Sequence, residues 1–530
     1  MQQQGTELTR DELIGQVIAV GFPGTSVNQE ITDLIQHHHV GNIILFSRNI
    51  HDTQQLHTLT QQLQDIARQA GQRYPLLIML DQENGMVRRL GQNATIFPGN
   101  MALGAIDSEE TAYQVALATG RELKVLGINM NLAPVLDVNN NPANPVIGVR
   151  SFGEDPQLVA RLGAAAVRGY QDAGIITSVK HFPGHGDTAT DSHLALPVIP
   201  HNMERLEQIE LVPFRSAIKA GATSVMVAHI YLPQLMPGSS QPATTSYEII
   251  QGLLRTHLGY DGMVISDCLE MDAVARTIST EQGALQTLRA GADMALISHR
   301  YERQLGAIAA IKAALQDGSL SQARLTQASE RVLALKRRFL SWEQPSSDEH
   351  VIGCAAHQQL SEQAYDSAIT LVRDQANLIP LRLTAGQRLL AVLLQPSSHT
   401  RAIDQQQPQE ALAASLRQHH DTVETMTLAS STPDVHERLR AAMKDAAITL
   451  LVTVNANLDP WQGELVQQAL ATQQPVIGVA SYNPYDLLAY PQLATYLATY
   501  ENTPPAFAAL ARVLFGAIQA RGRLPVSLSF

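Results

Sequence analysis

The chain has 530 residues, more than a single hydrophobic core usually serves, so two domains are expected. With 45% hydrophobic and 16% charged residues it is a globular protein rather than a disordered or fibrous one. The net charge of -12, with Lys and Arg scattered, argues against nucleic acid as a partner.

The first residues, MQQQGTELTRDEL, show no basic segment leading into an apolar run, so no leader peptide is expected. Nowhere does an apolar run reach the ~18 residues of a membrane span. Short apolar runs then alternate with amphipathic stretches. The runs, read as strands, are residues 16–21, 42–46, 76–81, 130–137, 178–181, 224–229, 262–267 and 294–298. Helical spacing of apolar residues marks 111–126, 156–173, 203–220 and 282–290. Repeated strand–helix units with nearly continuous apolar strands point to a (β/α)8, TIM-like barrel over residues 1–340, closed by a helix at 322–340. A doubly wound sheet is the alternative, and the strand count favours the barrel.

The polar stretch SWEQPSSDEH begins a linker, residues 341–357. Residues 358–530 form a smaller α/β sandwich domain, with a helix at 358–371 and strands at 388–394, 448–454 and 475–480. The two cysteines, Cys268 and Cys354, imply no disulfide framework, and a cytoplasmic location is expected.

Polar residues gather where the barrel strands end. Asp81 closes the third, Asp137 and Arg150 follow the fourth, and Lys180 and His181 close the fifth. His229 ends the sixth and Asp267 the seventh. One such Asp is more often a helix cap; several on one rim of a barrel mark a site, because the loops of that face converge. The densest segment is KHFPGHGDTATDSH, Lys180 to His193, whose Gly and Pro residues make it a loop. His181, His185, Asp187, Asp191 and His193 are all capable of binding a metal, but no zinc-type spacing is present. Asp191-Ser192-His193 better suits a carboxylate that orients an imidazole for proton transfer.

KHFPGHGDTATDSH, together with DQENGMVRR, DVNNNPANPVIGVRSFGEDP and SDCLEM, resembles the motifs of the β-N-acetylglucosaminidases of glycoside hydrolase family 3. The resemblance covers the barrel in the family's order. LIPL and GRLPVSL resemble, more weakly, the opening and closing phrases of the family's second domain. One departure is Asn84-Gly85, where the family usually has two glycines, with Met86 often Arg. VGFPG (residues 20–24) also matches, and reads as packing.

What the resemblance implies is a retaining exo-β-N-acetylglucosaminidase with no metal and no cofactor. Asp267 becomes the nucleophile, His193 the general acid/base and Asp191 its partner. Asp81, Arg89, Arg150, Lys180 and His181 bind the sugar. The substrate class it implies is a GlcNAc-containing muropeptide or chito-oligosaccharide. Arg88, Arg89 and Lys180 are candidates for favouring an anionic product. The loop at 184–191 is expected to move over bound sugar. A phosphorylase, a family 3 β-glucosidase and a catalytically silent carbohydrate binder stand as alternatives. In the second domain the polar cluster SYNPYDL singles out Asp486, which reads as a helix cap after Pro484.

Overall fold

In a computed structural model, residues 8–192, 195–343, 348–396 and 408–528 are described. Eight parallel strands close on themselves: β1 (Ile18–Val20), β2 (Asn42–Ile44), β3 (Leu77–Leu80), β4 (Met130–Asn131), β5 (Ile176–Phe182), β6 (Ser224–Val227), β7 (Met263–Cys268) and β8 (Met294–Ile297). The barrel interior is filled by Ala19, Ile44, Leu77, Met79, Met130, Ile176, Met226, Met263, Ile265, Met294 and Leu296, so it is a packed core and not a channel. The helices wrap outside, covering the strands' other face. Strands buried on both faces explain the continuous apolar runs.

The helix Gln322–Phe339 closes the bottom of the barrel with Val332 and Leu335. From it Lys336 reaches inside, donating from Nζ to Gln16 Oε1 and Gly41 O, both at 2.7 Å. Its side chain is buried, which pulls its pKa down to about 7.

Six further strands make one sheet: β9 (Thr370–Asp374), β10 (Arg388–Leu394), β11 (Val423–Leu428), β12 (Ala446–Thr453), β13 (Val476–Ala480) and β14 (Thr495–Ala498). Their order is β11-β10-β12-β13-β14-β9, with only β9 antiparallel to its neighbour. Separate apolar clusters lie on its two faces, one around Leu389, Leu450 and Phe507, the other around Val392, Leu439 and Leu465. That is the expected sandwich.

Local departures have local causes. The helix expected at 203–220 is two, Met203–Gln208 and Leu211–Lys219. Pro213 cannot sit inside a continuous helix, because its ring clashes with the carbonyl four residues back, and the break falls at Ile209. The fourth strand stops at Asn131 because Pro134 lacks an N–H for the ladder; one bridge, Val135 to Lys180, carries the chain on towards Asp137. The helix expected at 358–371 is Ala355–Ala368, and the β-branched Thr370 and Val372 belong to β9 instead.

Candidate active site

A cavity of about 580 Å³ opens at the C-terminal rim of the barrel. Among the described residues its lining runs from Ile44 to His299, all within the barrel. Its deep wall comes from β3, β4 and β5. At its centre Glu83 accepts from Arg150 through Nε and Nη2, both at 2.8 Å, and from Lys180 Nζ at 2.7 Å. Lys180 also donates to Asp81 Oδ1 at 2.6 Å. The side chains of Glu83 and Lys180 are 2% exposed, so these charges stand in a weakly screening environment. Burial opposes ionisation of Glu83, but Arg150 and then Lys180 outweigh it and hold its carboxyl far below the usual range. Lys180 is correspondingly pushed up: burial pulls its pKa down, and Asp81 and Glu83 overcome that.

His181 is aimed by Asp137, whose Oδ2 lies 2.7 Å from Nδ1. A carboxylate only accepts, so the Nδ1 proton points there and Nε2 faces Arg150 Nη2 at 3.4 Å. Asp137 is buried, and His181 beside it holds its carboxyl low. Its other oxygen accepts from the backbone N–H of His185 at 2.7 Å.

The loop after β5 is anchored at its root. Asn144 donates from Nδ2 to the carbonyls of His185 and Gly186, at 2.9 and 2.8 Å. A Cβ on Gly186 would lie 1.8 Å from Val138 O, so only glycine fits there. His185 is buried and spans the loop, with Nδ1 2.9 Å from Thr188 Oγ1 and Nε2 3.0 Å from Ser192 Oγ. Burial pulls its pKa down to about 4 against the pull of Asp137, so it positions the loop as a neutral ring. Between residues 184 and 192 only Ala189 and Thr190 are exposed.

Asp267 lies within β7 near its end and lines the cavity, its Oδ1 accepting from Cys268 N at 2.6 Å. Ser192 lines it too, next to Asp191. His193 lies outside the described residues. Asp81, Arg89, Arg150, Lys180 and His181 all line the cavity.

Other residues do not. Arg88 is not among the residues lining the cavity and lies near Glu501 and Tyr365 of the second domain. His229 is buried, its Nε2 donating to Cys268 O at 2.9 Å, and so ties β7 to the end of β6. Of the possible metal ligands, His181 and His185 do line the cavity but bond to different partners, Asp137 and Thr188, and Asp187 turns to His201 at 2.8 Å. Asp486 does not cap its own helical turn. It accepts from Ala456 N at 2.7 Å and Thr453 Oγ1 at 2.5 Å, and burial pushes its carboxyl up to about 7.

Two features escaped the sequence reading. Glu83 is one; its signal was a second acidic group in DQEN, beside two cations that Asp81 alone does not balance. The other is the opposite wall, built by loops after β2 and β8 from Phe46, Arg48, Ser298 and His299.

The model of the glycosyl hydrolase family 3 N-terminal domain matches residues 9–335. A family 3 β-N-acetylglucosaminidase from Paenibacillus sp. str. FPU-7 has a solved structure that superposes with a TM-score of 0.92 at 42% identity, covering 99% of each chain. A fungal multi-domain β-N-acetylglucosaminidase of the same family gives a TM-score of 0.93 at 46% identity, over 98% of this chain and 61% of that one. β-Hexosaminidase A of Pseudoalteromonas piscicida is 32% identical over 95% of this chain and 92% of its own length.

Proposed function

The chain belongs to glycosyl hydrolase family 3, and we propose that it is a retaining exo-β-N-acetylglucosaminidase that forms a covalent glycosyl-enzyme on Asp267. The observation that carries this reading is the placement of Asp267. It stands on a rigid strand, held by Cys268 N, and opens into the same cavity as the Asp81–Lys180–Glu83–Arg150 network. That network presents charged donors and acceptors to a sugar ring, while Asp267 supplies the carboxylate that retaining chemistry requires.

In the proposed sequence Asp81, Arg89, Arg150, Lys180 and His181 hold the terminal N-acetylglucosamine. Asp267 attacks the anomeric carbon as His193, oriented by Asp191, protonates the leaving oxygen. His193 then takes a proton from water, which attacks the same carbon and releases Asp267. Hexosaminidase and N-acetylglucosaminidase activities among the relatives support the N-acetylated sugar, in a muropeptide or chito-oligosaccharide. The chain's own side chains supply every step, so the scheme uses no cofactor.

The test is turnover of an aryl N-acetyl-β-glucosaminide, with the anomer of the first product followed by NMR. The β anomer and loss of turnover in Asp267→Asn are expected. An α product, or an active Asp267→Asn, would overturn the assignment. His193→Ala is expected to slow activated aryl substrates far less than a disaccharide, since a good leaving group needs little protonation.

A further inference from the structure

The wall opposite the sugar-binding network has a different electrostatic character. Arg48 sits in the turn after β2, and its guanidinium lies 4.4 Å from the Phe46 ring centroid. Its Nε donates to Phe22 O at 3.1 Å and its Nη2 to Ser298 O at 2.6 Å. Its Nη1 lies 3.0 Å from His299 Nδ1. Arginine only donates, so His299 Nδ1 accepts and the ring carries its proton on Nε2.

These partners are all neutral. Four acidic residues of the same cavity have basic partners of their own: Asp81 and Glu83 have Lys180, Glu270 has Arg300 at 2.9 Å, and Asp272 has Arg276 at 3.0 Å. Arg48 is the contrasting case, a half-buried cation fixed in the cavity wall by two backbone carbonyls and an imidazole. Burial pulls its pKa down, and the Cys268 and Glu270 side chains oppose that only at a distance. A second N–H remains on each Nη nitrogen beyond the bonds described, and guanidinium N–H groups are strong donors to a carboxylate or phosphate.

The turn is built to hold this arrangement. Asn49 is buried, accepts from Phe46 N at 3.0 Å and donates to Phe22 O and Gly24 O, at 2.9 and 2.7 Å. A Cβ on Gly21 would lie 2.3 Å from Ser298 O, so glycine lets β1 and the β8 loop close on Arg48. The VGFPG block thus forms the seat of this guanidinium as well as packing.

We propose that Arg48, with His299 beside it, forms an oxyanion-binding subsite on the leaving-group side of the cavity, and so sets a preference for substrates whose leaving group carries a carboxylate. It rests on the glycosidase reading, in that the sugar-binding network fills the opposite wall. The same chemistry also accepts a free oxyanion such as inorganic phosphate.

The test uses two disaccharides with the same terminal N-acetylglucosamine, β-1,4-linked to N-acetylmuramic acid or to N-acetylglucosamine. They differ at the leaving sugar by one lactyl ether bearing a carboxylate. Loss of a charge-assisted hydrogen bond predicts that Arg48→Met lowers the ratio of their kcat/KM values about tenfold. His299→Phe, which keeps the ring, is expected to lower it about threefold, and serves should Arg48→Met fail to fold. In a second arm inorganic phosphate competes with the carboxylated disaccharide at constant ionic strength. Competition seen in wild type and lost in the variants identifies a free oxyanion as a ligand of the subsite. An unchanged ratio together with unchanged competition overturns the proposal. If wild-type enzyme cleaves neither disaccharide, the glycosidase reading fails first, and the phosphate arm repeated as a binding titration still decides the subsite.

Discussion

Glu83 governs the charge balance of the deep wall. Two buried cations, Lys180 and Arg150, share its carboxylate, and among the described residues Asp81 pairs with Lys180. Removing one partner of a buried ion pair strands the others, which typically costs about 3–5 kcal/mol. Glu83→Gln is therefore expected to lower the melting temperature markedly and to reduce kcat/KM at least ~tenfold. The pH dependence has a definite sign. A carboxyl whose folded pKa is depressed contributes stability that is complete above its unfolded value and is lost as pH falls towards the folded one. The stability gap between wild type and Glu83→Gln should thus be flat from pH 5 to 8 and shrink only in stronger acid. A gap that closes near neutrality would show that the pair does not exist as described. The strand-end rule found Asp81, Lys180 and Asp267 because it needs only strand register. Glu83 lies three residues beyond its strand and reaches the cavity through a turn that register does not encode. Arg48 and Asn49 were hidden for the same reason: a half-turn after β2 decides which way they face.

Among elements, the helix Gln322–Phe339 carries a feature that no periodicity announces. Lys336 falls on its apolar face and enters the barrel bottom between Gln16 and Gly41, with two neutral acceptors. A lysine whose folded pKa is pulled down to about 7 is penalised in its charged form. Below pH 7 the penalty is complete. From there to the unfolded value near 10.5 the unfolded chain holds more protons, so stability rises with pH. Relative to Lys336→Met, wild type is expected to gain stability from pH 7 to 9.5, with a slope of up to about 1.4 kcal/mol per pH unit. Parallel denaturation midpoints for the two proteins across that range would rule this out. The barrel strands were legible because both their faces are buried and their composition is uniformly apolar. In the second sheet β9, β11 and β14 were not. β11 is a half-exposed edge with a mixed sequence, and β14 has only four residues. β9 follows its helix after a single residue, so the helical pattern ran over it.

At the scale of the whole molecule the second domain reaches the cavity indirectly. Asn139 Nδ2 donates to Tyr485 OH at 3.1 Å, and Asn139 Oδ1 accepts from Gly148 N at 3.1 Å, two residues before Arg150. Gly148 has φ +45, and a Cβ there would lie 2.4 Å from Asn483 Oδ1. From the other side Glu501 accepts from Gly99 N at 3.0 Å, and the adjacent Asn100 donates to Arg150 O at 2.7 Å. Arg150 is therefore gripped between two threads that both end in the second domain. A linker motif and a sandwich pattern are readable from sequence, but which barrel loops the sandwich presses on depends on docking geometry, which no local pattern contains. Tyr485→Phe removes one thread and leaves the buried Asn139 amide without that acceptor, at a cost of about 1–3 kcal/mol. Because Arg150 holds the sugar in the proposed scheme and Asp267 does not depend on this contact, KM should rise more than kcat falls. Thermal unfolding and steady-state kinetics on the same preparation check both halves. A variant that loses stability but keeps wild-type KM would mean that the second domain stabilises the barrel without shaping its cavity.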